Sequence, residues 1–242
     1  MTSPTHPRPV VECIDVTRTY PGGVRAIRGV SLAIHPGDVT AIVGPSGSGK
    51  TTLLQLMGTL DRPTSGTVRV AGNDVATLGD RALSTLRANT IGFVFQQFHL
   101  SPLMSLRDNV AEGLLYTGTR HRERQRRAID ALRRLGLGHR LDHRPQLLSG
   151  GERQRAAIAR AIIGDPAVVL ADEPTGNLDT ANGRTVVEIL HGLASEGTAV
   201  VIITHDHEVA AAMDRRLVIR DGRLQSEAAT LASPLPPTDP QD

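Results

Sequence analysis

One lysine, one cysteine and a 2% share of aromatic residues are the conspicuous shortages in this chain of 242 residues. The single cysteine, Cys13, excludes an internal disulfide, and its strand-like surroundings suit a small buried apolar side chain. Long apolar runs are missing as well. Ala199–Ile203 is strand-sized, far short of the roughly 20 residues that span a bilayer. Met1 to Pro9 is polar and lacks the apolar core of a secretory leader. No internal repeat is visible. With 39% hydrophobic residues the composition is ordinary for a globular protein, and the length suits one large domain or one core with a small subdomain. The expectation is a cytoplasmic protein.

The lysine shortage is informative because of where its exception falls. Of 27 basic residues, 26 are arginine; the lone lysine is Lys50, within Gly44-Pro45-Ser46-Gly47-Ser48-Gly49-Lys50-Thr51. That segment fits G-x-x-x-x-G-K-[ST], the Walker A phosphate loop, at every fixed position. An ammonium is a compact charge on a flexible stem that reaches over a tight loop, where a forked guanidinium is bulkier. A genomic arginine bias accounts for the other positions, and Lys50 is read as functional.

Net charge is only +2, but it is unevenly spread. Between Arg120 and Arg144 nine arginines face Glu123, Asp130 and Asp142. Such a stretch can touch nucleic acid or anionic lipid. It equally fits a solvated helix face, with Glu123–Arg127 and Asp130–Arg134 as i,i+4 pairs and Ile129, Leu132 and Leu135 as an apolar stripe. The solvated face is the favoured reading.

Residues 10–20 and 24–34 alternate like strands around a Pro21-Gly22-Gly23 turn. Val39–Val43 is an apolar run that leads into the glycine loop, and Thr51–Met57 then reads as a helix, the strand–loop–helix context a phosphate loop needs. Further strands are expected at Thr67–Val70 and Ile91–Phe95. From about 104 to 163 helical periodicity takes over, as a helical subdomain inserted into the core. The core resumes with a strand at Val168–Ala171, a helix over about 181–195, a strand at Thr198–Thr204 and a hairpin over 216–224 that turns on Asp221-Gly222. Strands alternating with helices predict an α/β fold with a mainly parallel sheet covered on both faces. Folded structure is expected over 10–225, flanked by a flexible 1–9 and a disordered, Pro- and Ala-rich 226–242.

Three segments carry chemistry. Glycines 44, 47 and 49 let successive backbone N–H groups face phosphates, with a helix N-terminus aimed at the same anion and the Thr51 hydroxyl available to Mg²⁺. Val168–Ala171 ends abruptly in Asp172 and Glu173: one carboxylate placed to hold Mg²⁺, the next placed as a general base for water. Leu148-Ser149-Gly150-Gly151-Glu152 opens a helix, with Ser149 and Glu152 spaced as a capping box. Alone, that segment is only a helix start.

Together, in this order, the three segments resemble the ABC ATPase family. The resemblance covers roughly 10–225 and implies a P-loop core with a small antiparallel β-subdomain and an inserted helical subdomain. It implies ATP and Mg²⁺ as ligands, with Tyr20, Gly44, Pro45, Ser46, Gly47, Ser48, Gly49, Lys50, Thr51, Thr52, Ser149, Gly150, Gly151 and Asp179 contacting nucleotide. Thr51, Gln96 and Asp172 would order the metal; Glu173, His205, Gln96 and Lys50 would carry catalysis. Tyr20 resembles the aromatic that stacks on adenine, Gln96 the Q-loop glutamine, Gly176-Asn177-Leu178-Asp179 the D-loop and His205 the switch histidine, while His207 is read as structural. In the family, Ser149–Gly151 reaches the nucleotide of the other subunit, so a homodimer is implied. Arg18-Thr19-Tyr20, the Walker A loop, Ile91–Phe98 and Ala171–Asp179 look like the lipoprotein-release, macrolide-export and cell-division branch. That branch implies an FtsX/MacB-like membrane permease as partner, contacted by the segment from Phe98 to Met104, no direct nucleic acid, and a place on the cytoplasmic face of the inner membrane. A soluble relative acting on nucleic acid or ribosomes, supported only by the basic stretch, is the alternative.

Overall fold

The computed structural model describes residues 8–229. The chain runs β1 (Val11–Thr19), β2 (Arg25–Ile34), β3 (Val39–Val43), α1 (Lys50–Met57), β4 (Ser65–Val70), β5 (Asn73–Asp74), α2 (Asp80–Thr90), β6 (Ile91–Val94), α3 (Leu106–Ala111), α4 (His121–Arg134), α5 (Gly150–Ile162), β7 (Val168–Asp172), α6 (Thr180–Ser195), β8 (Ala199–Ile203), α7 (His207–Ala211), β9 (Arg215–Arg220) and β10 (Arg223–Ala229). Two sheets form. One is antiparallel, in the order β2-β1-β4-β5; the other runs β10-β9-β3-β8-β7-β6. In the second, β9, β3, β8, β7 and β6 are parallel and β10 closes the edge antiparallel to β9.

The parallel strands read as continuous apolar runs because both faces are covered. All five residues of β8 are buried, and they divide by parity. Val200 and Ile202 join Val169 and Ala171 against α3, α5 and α6. Ala199, Val201 and Ile203 join Val168, Leu170 and Ile42 against Leu53, Leu54 and Leu56 of α1 and Val11 and Val30 of the antiparallel sheet. The two-residue period of a strand thus builds two core layers on one sheet. The smaller sheet sits behind the phosphate loop, where the Ala26 carbonyl meets Gly49: a Cβ there would come within 2.4 Å of it, at a φ of +104.

Several expectations change in detail. β10 continues to Ala229, past the point where a disordered tail was expected to begin, because Ser226–Ala229 pair with Arg215–Val218. The rest of that tail, and Met1 to Pro7, lie outside the described residues. α2, β5 and α7 were not foreseen: α2 buries only Leu83, β5 has 2 residues and α7 has 5. On α4, Glu123 lies 3.8 Å from Arg127 as expected and binds Arg126 more closely at 2.6 Å, but the expected Asp130–Arg134 pair does not form. Asp130 takes Arg126, and Arg134 reaches across to Glu196 at 2.6 Å, since a longer side chain finds a carboxylate on the neighbouring element.

The loop entering α3 is held from inside by Asn109, which is fully buried. Its Oδ1 accepts from the Ser101 N–H at 2.6 Å, and its Nδ2 donates to the carbonyls of Ser101, Met104 and Ser105. Asn109→Ala strands those backbone groups without water, and the expected loss is about 1–3 kcal/mol or more. Urea unfolding measures it; a change below about 0.5 kcal/mol would show that the loop does not depend on this side chain.

Candidate active site

A cleft of about 430 Å³ opens at the carboxyl ends of the parallel strands, lined by Gly44, Ser46, Gly47, Gly49, Lys50, Thr51, Thr52, Gln96, Asp172, Glu173 and His205, with Ala26 and Ile203 between them. The placement follows from topology. The glycine loop leaves β3, Gln96 follows β6, the two carboxylates end β7 and His205 follows β8. Open α/β sheets bind ligands at this edge.

Gly44, at φ +157, could carry no side chain, since a Cβ would lie 2.1 Å from the Ile219 carbonyl. With Gly49 similarly confined, the loop is pressed onto backbone on two sides, and only glycine lets its amides turn inward. Lys50 Nζ donates to the carbonyls of Gly44 and Pro45, both at 2.9 Å. The ammonium therefore arches back over its own loop, as a flexible stem allows.

Asp172 is partly buried, and desolvation raises its pKa, reinforced by Glu173 beside it and opposed by Lys50. Thr51, Gln96 and Asp172 bring a hydroxyl, an amide and a carboxylate to one cleft. These are hard oxygen donors of the kind Mg²⁺ takes together with phosphate oxygens and water. A cation there would also relieve the carboxylate of its desolvation, so the donor set fits the ion.

Glu173 stands at φ +47, outside the usual range for a non-glycine residue, and its N–H is held by the Ile203 carbonyl at 2.9 Å. The turn aims its carboxylate at His205. Oε1 accepts from the His205 backbone N–H at 3.1 Å and pairs with Nδ1 at 2.7 Å. The carboxylate is 15% exposed and the imidazole 74%, so a sheltered acid carries an exposed base. The hydrogen bond to Glu173, then its charge, raises the pKa of His205. The backbone of Gln96 is also held: its main-chain carbonyl accepts from Asn177 Nδ2 at 2.8 Å.

Other expected site residues do not line the cleft. Ser149 caps α5: its Oγ accepts from the Glu152 N–H at 3.2 Å while Glu152 Oε2 accepts from the Ser149 N–H at 2.8 Å. The bond from the Ser149 backbone N–H to the Glu152 carboxylate lowers the pKa of Glu152, and Arg140, at 2.9 Å, adds to the effect. Gly151 packs on Asn182, where a Cβ would fall 2.0 Å from Oδ1. Asn182 in turn binds Asp179 twice, at 2.8 and 2.7 Å. A Cβ on Gly150 would come into ordinary contact range of Leu178 and the Asn177 carbonyl. Ser149, Gly150, Gly151 and Asp179 thus form one block outside their own chain's cleft. Tyr20, just past β1, is not among the residues lining the cleft; its hydroxyl donates to Asp61 at 3.0 Å. Pro45 and Ser48 belong to the loop without lining the cleft, and Ser48 is buried. Ala26 and Ile203 were missed by sequence reasoning because they act through backbone approach, which no motif records; Asp61, bonded to Tyr20, was missed because it lies 41 residues away in sequence.

The sequence profile of the family described as ABC transporter matches residues 27–176. The chain is 49% identical over 234 residues to the pyoverdine export ATP-binding/permease protein PvdT of Pseudomonas entomophila, covering 95% of this chain and 36% of that one. It is 48% identical over 219 residues to the macrolide export ATP-binding/permease protein MacB of Shigella flexneri, covering 89% and 34% respectively. The chain therefore spans about a third of the length of these relatives. Among solved structures, the dimeric post-hydrolysis state of the ATP-binding cassette MJ0796 bound to ADP and Pi matches with a TM-score of 0.83 at 38% identity, covering 92% of this chain and all of that one.

The raised pKa of His205 makes a signed expectation. A histidine whose folded pKa exceeds its unfolded value gives stability that is full below the unfolded value and is lost as pH rises through the folded one. NMR titration should place the His205 midpoint above 6.5. Glu173→Gln should move the midpoint down; no movement would mean the 2.7 Å contact does not persist in solution.

Proposed function

The chain belongs to the ABC transporter family, and on that footing we propose that two copies close head to tail around two ATP molecules and drive a membrane permease. As a member of that family it is an ATP-binding, ATP-hydrolysing subunit. The observation that carries the two-copy reading is the division of the site. The phosphate loop, Gln96, Asp172, Glu173 and His205 share a cleft, while the start of α5 at Ser149–Gly151 lies outside it with Asp179. A helix N-terminus with two glycines is an anion site looking for an anion. The nucleotide of a second copy would supply one, and the MJ0796 cassette is a dimer bound to ADP and Pi.

In this reading Lys50, the loop amides from Gly44 to Thr51, and Thr52 hold the phosphates. Thr51, Gln96 and Asp172 would hold Mg²⁺, which would supply charge neutralisation to the phosphate oxygens. Glu173 takes the proton of the attacking water, and His205 steadies that carboxylate and faces the terminal phosphate. Ser149, Gly150 and Gly151 of the other copy close the site, and Asp179 lies at the seam. Positioning and charge stabilisation are what phosphoryl transfer asks of a protein, so no covalent intermediate is required.

The partner we infer is an FtsX/MacB-like permease, because the relatives are named ATP-binding/permease export proteins and this chain spans the part that aligns. Among the described residues no helix is long and apolar enough to cross a membrane. Membrane attachment at the cytoplasmic face would then come through the permease. Phe98–Met104 is the segment expected to meet it. Next to that segment lies an apolar groove of about 490 Å³ lined by Leu60, Phe93, Phe95 and Tyr116, with Tyr116 82% exposed. The basic helix supports nucleic-acid binding less well: Arg126, Arg127 and Arg134 are committed to carboxylates.

Two substitutions test the reading. Glu173→Gln should keep ATP binding, lower hydrolysis by about 10²-fold or more, and trap a dimer. Size-exclusion chromatography at saturating ATP reads the dimer; a monomer would sink the shared site. Lys50→Ala should weaken ATP binding by about 10- to 100-fold, the loss of charge-assisted hydrogen bonds. Calorimetry measures that, and unchanged affinity would remove Lys50 from its phosphate role.

A further inference from the structure

Tyr20 sits where β1 turns toward β2; its N–H donates to the Val24 carbonyl at 2.9 Å and its carbonyl accepts from the Gly23 N–H at 3.1 Å. Arg18, two residues earlier, shares its strand face. The Arg18 guanidinium lies over the Tyr20 ring, 4.6 Å from the centroid. Its Nη2 bonds Asp61 Oδ1 at 2.7 Å, and the second Asp61 oxygen accepts the Tyr20 hydroxyl at 3.0 Å. Arg18 Nε is shielded and has no hydrogen-bond partner. A guanidinium that forgoes an edge bond while its carbon lies over a ring is held there by cation–π attraction. Asp61 is itself fixed: its N–H donates to the carbonyl of Gln55, on the helix that begins at Lys50, at 3.3 Å.

We propose that Arg18 and Asp61 are positioning residues for the nucleobase. They fix the Tyr20 ring as a stacking platform with one usable face, the one opposite Arg18, and α1 sets the distance of that platform from the phosphate loop. The inference rests on the reading of the cleft as a nucleotide site whose base stacks on Tyr20, the role that the family resemblance implies for this residue. The physical argument is preorganisation. A tyrosine free to rotate loses side-chain entropy when a base lands on it, whereas a ring clamped at its hydroxyl and on one face has lost that freedom in advance. The cation on the far face also draws π density away from the open face, which suits an electron-rich purine. A surface ion pair by itself contributes little to stability, so the three-way contact is better explained by what it holds still.

The test uses the full chain and two probes with Mg²⁺ present: ATP, and inorganic tripolyphosphate, which has no base. Calorimetry compares Arg18→Met, Asp61→Ala and Tyr20→Ala with the parent. Arg18→Met and Asp61→Ala should each weaken ATP binding about five- to tenfold, and both should leave tripolyphosphate affinity within about twofold, since the loop is untouched. Tyr20→Phe, which loses only the bond to Asp61, should fall between. If Tyr20→Ala weakens ATP but the Arg18 and Asp61 variants do not, the positioning role is overturned while base stacking on Tyr20 stands. If Tyr20→Ala itself leaves ATP affinity unchanged, the base-platform reading fails and the inference with it. Equal losses for ATP and tripolyphosphate would mean general damage to the fold and would overturn the inference too.

Discussion

The register of the parallel strands is the constraint on which the site depends. Ile42 pairs with Ile203, Ile203 with Asp172, and Ala171 with Val94. These contacts bring the ends of β3, β8, β7 and β6 to one edge of the sheet. The loop, the histidine, the carboxylates and the glutamine come from residues 44–52, 96, 172–173 and 205, far apart in sequence, yet each group begins at or just past the last residue of its strand. A slip of one residue would turn each apolar run to the wrong layer, because parity divides β8 between two cores. The packing that stabilises the fold is therefore the same packing that aligns the chemistry.

Electrostatics then separates two adjacent acids. Asp172 is penalised by burial and by its neighbour, which favours a cation beside it. Glu173, one residue on, is turned by its left-handed backbone toward His205 and takes two hydrogen bonds there. Strained backbone of this kind costs of order 1–3 kcal/mol and persists only where surroundings impose it. Here the N–H of Glu173 on Ile203 and the double contact with His205 supply that constraint. Two like residues thus receive different environments from a single change of backbone direction.

Much of this was legible in the sequence where one local pattern sufficed. The glycine loop, the apolar run ending in Asp172-Glu173 and the Ser149–Glu152 capping box each carry their meaning within a few residues. The fold class followed from strands alternating with helices. What stayed illegible depended on partners distant in the chain. α2 is polar on most of its surface and buries only Leu83, so its periodicity was faint. Arg134 had a suitable acid four residues away and chose Glu196 instead. β10 outran its apparent end because strand pairing with β9 outweighs a composition of small and polar residues. Ala26 touches the site through its carbonyl, and the clamp on Tyr20 joins residues 18 and 61; neither has a one-dimensional signature.

The helix α5 links these parts in a way the motifs alone do not suggest. Its first turn presents Ser149–Gly151, outside the cleft of its own chain. Further along, Arg153 lies 5.0 Å from the Phe98 ring, and Arg160 donates to the carbonyls of His99 and Phe98 at 2.6 and 3.0 Å. Arg160 is desolvated enough to lower its pKa, so those two bonds are made where water competes poorly. The strap that follows Gln96 is thereby fastened to α5 at two points seven residues apart, on one helical face. In the proposed assembly, that strap borders the groove offered to the permease, while the start of the same helix meets the nucleotide of the other copy. A displacement at the groove would then be carried by a rigid helix to a phosphate, without any need for the cleft of its own chain to change first.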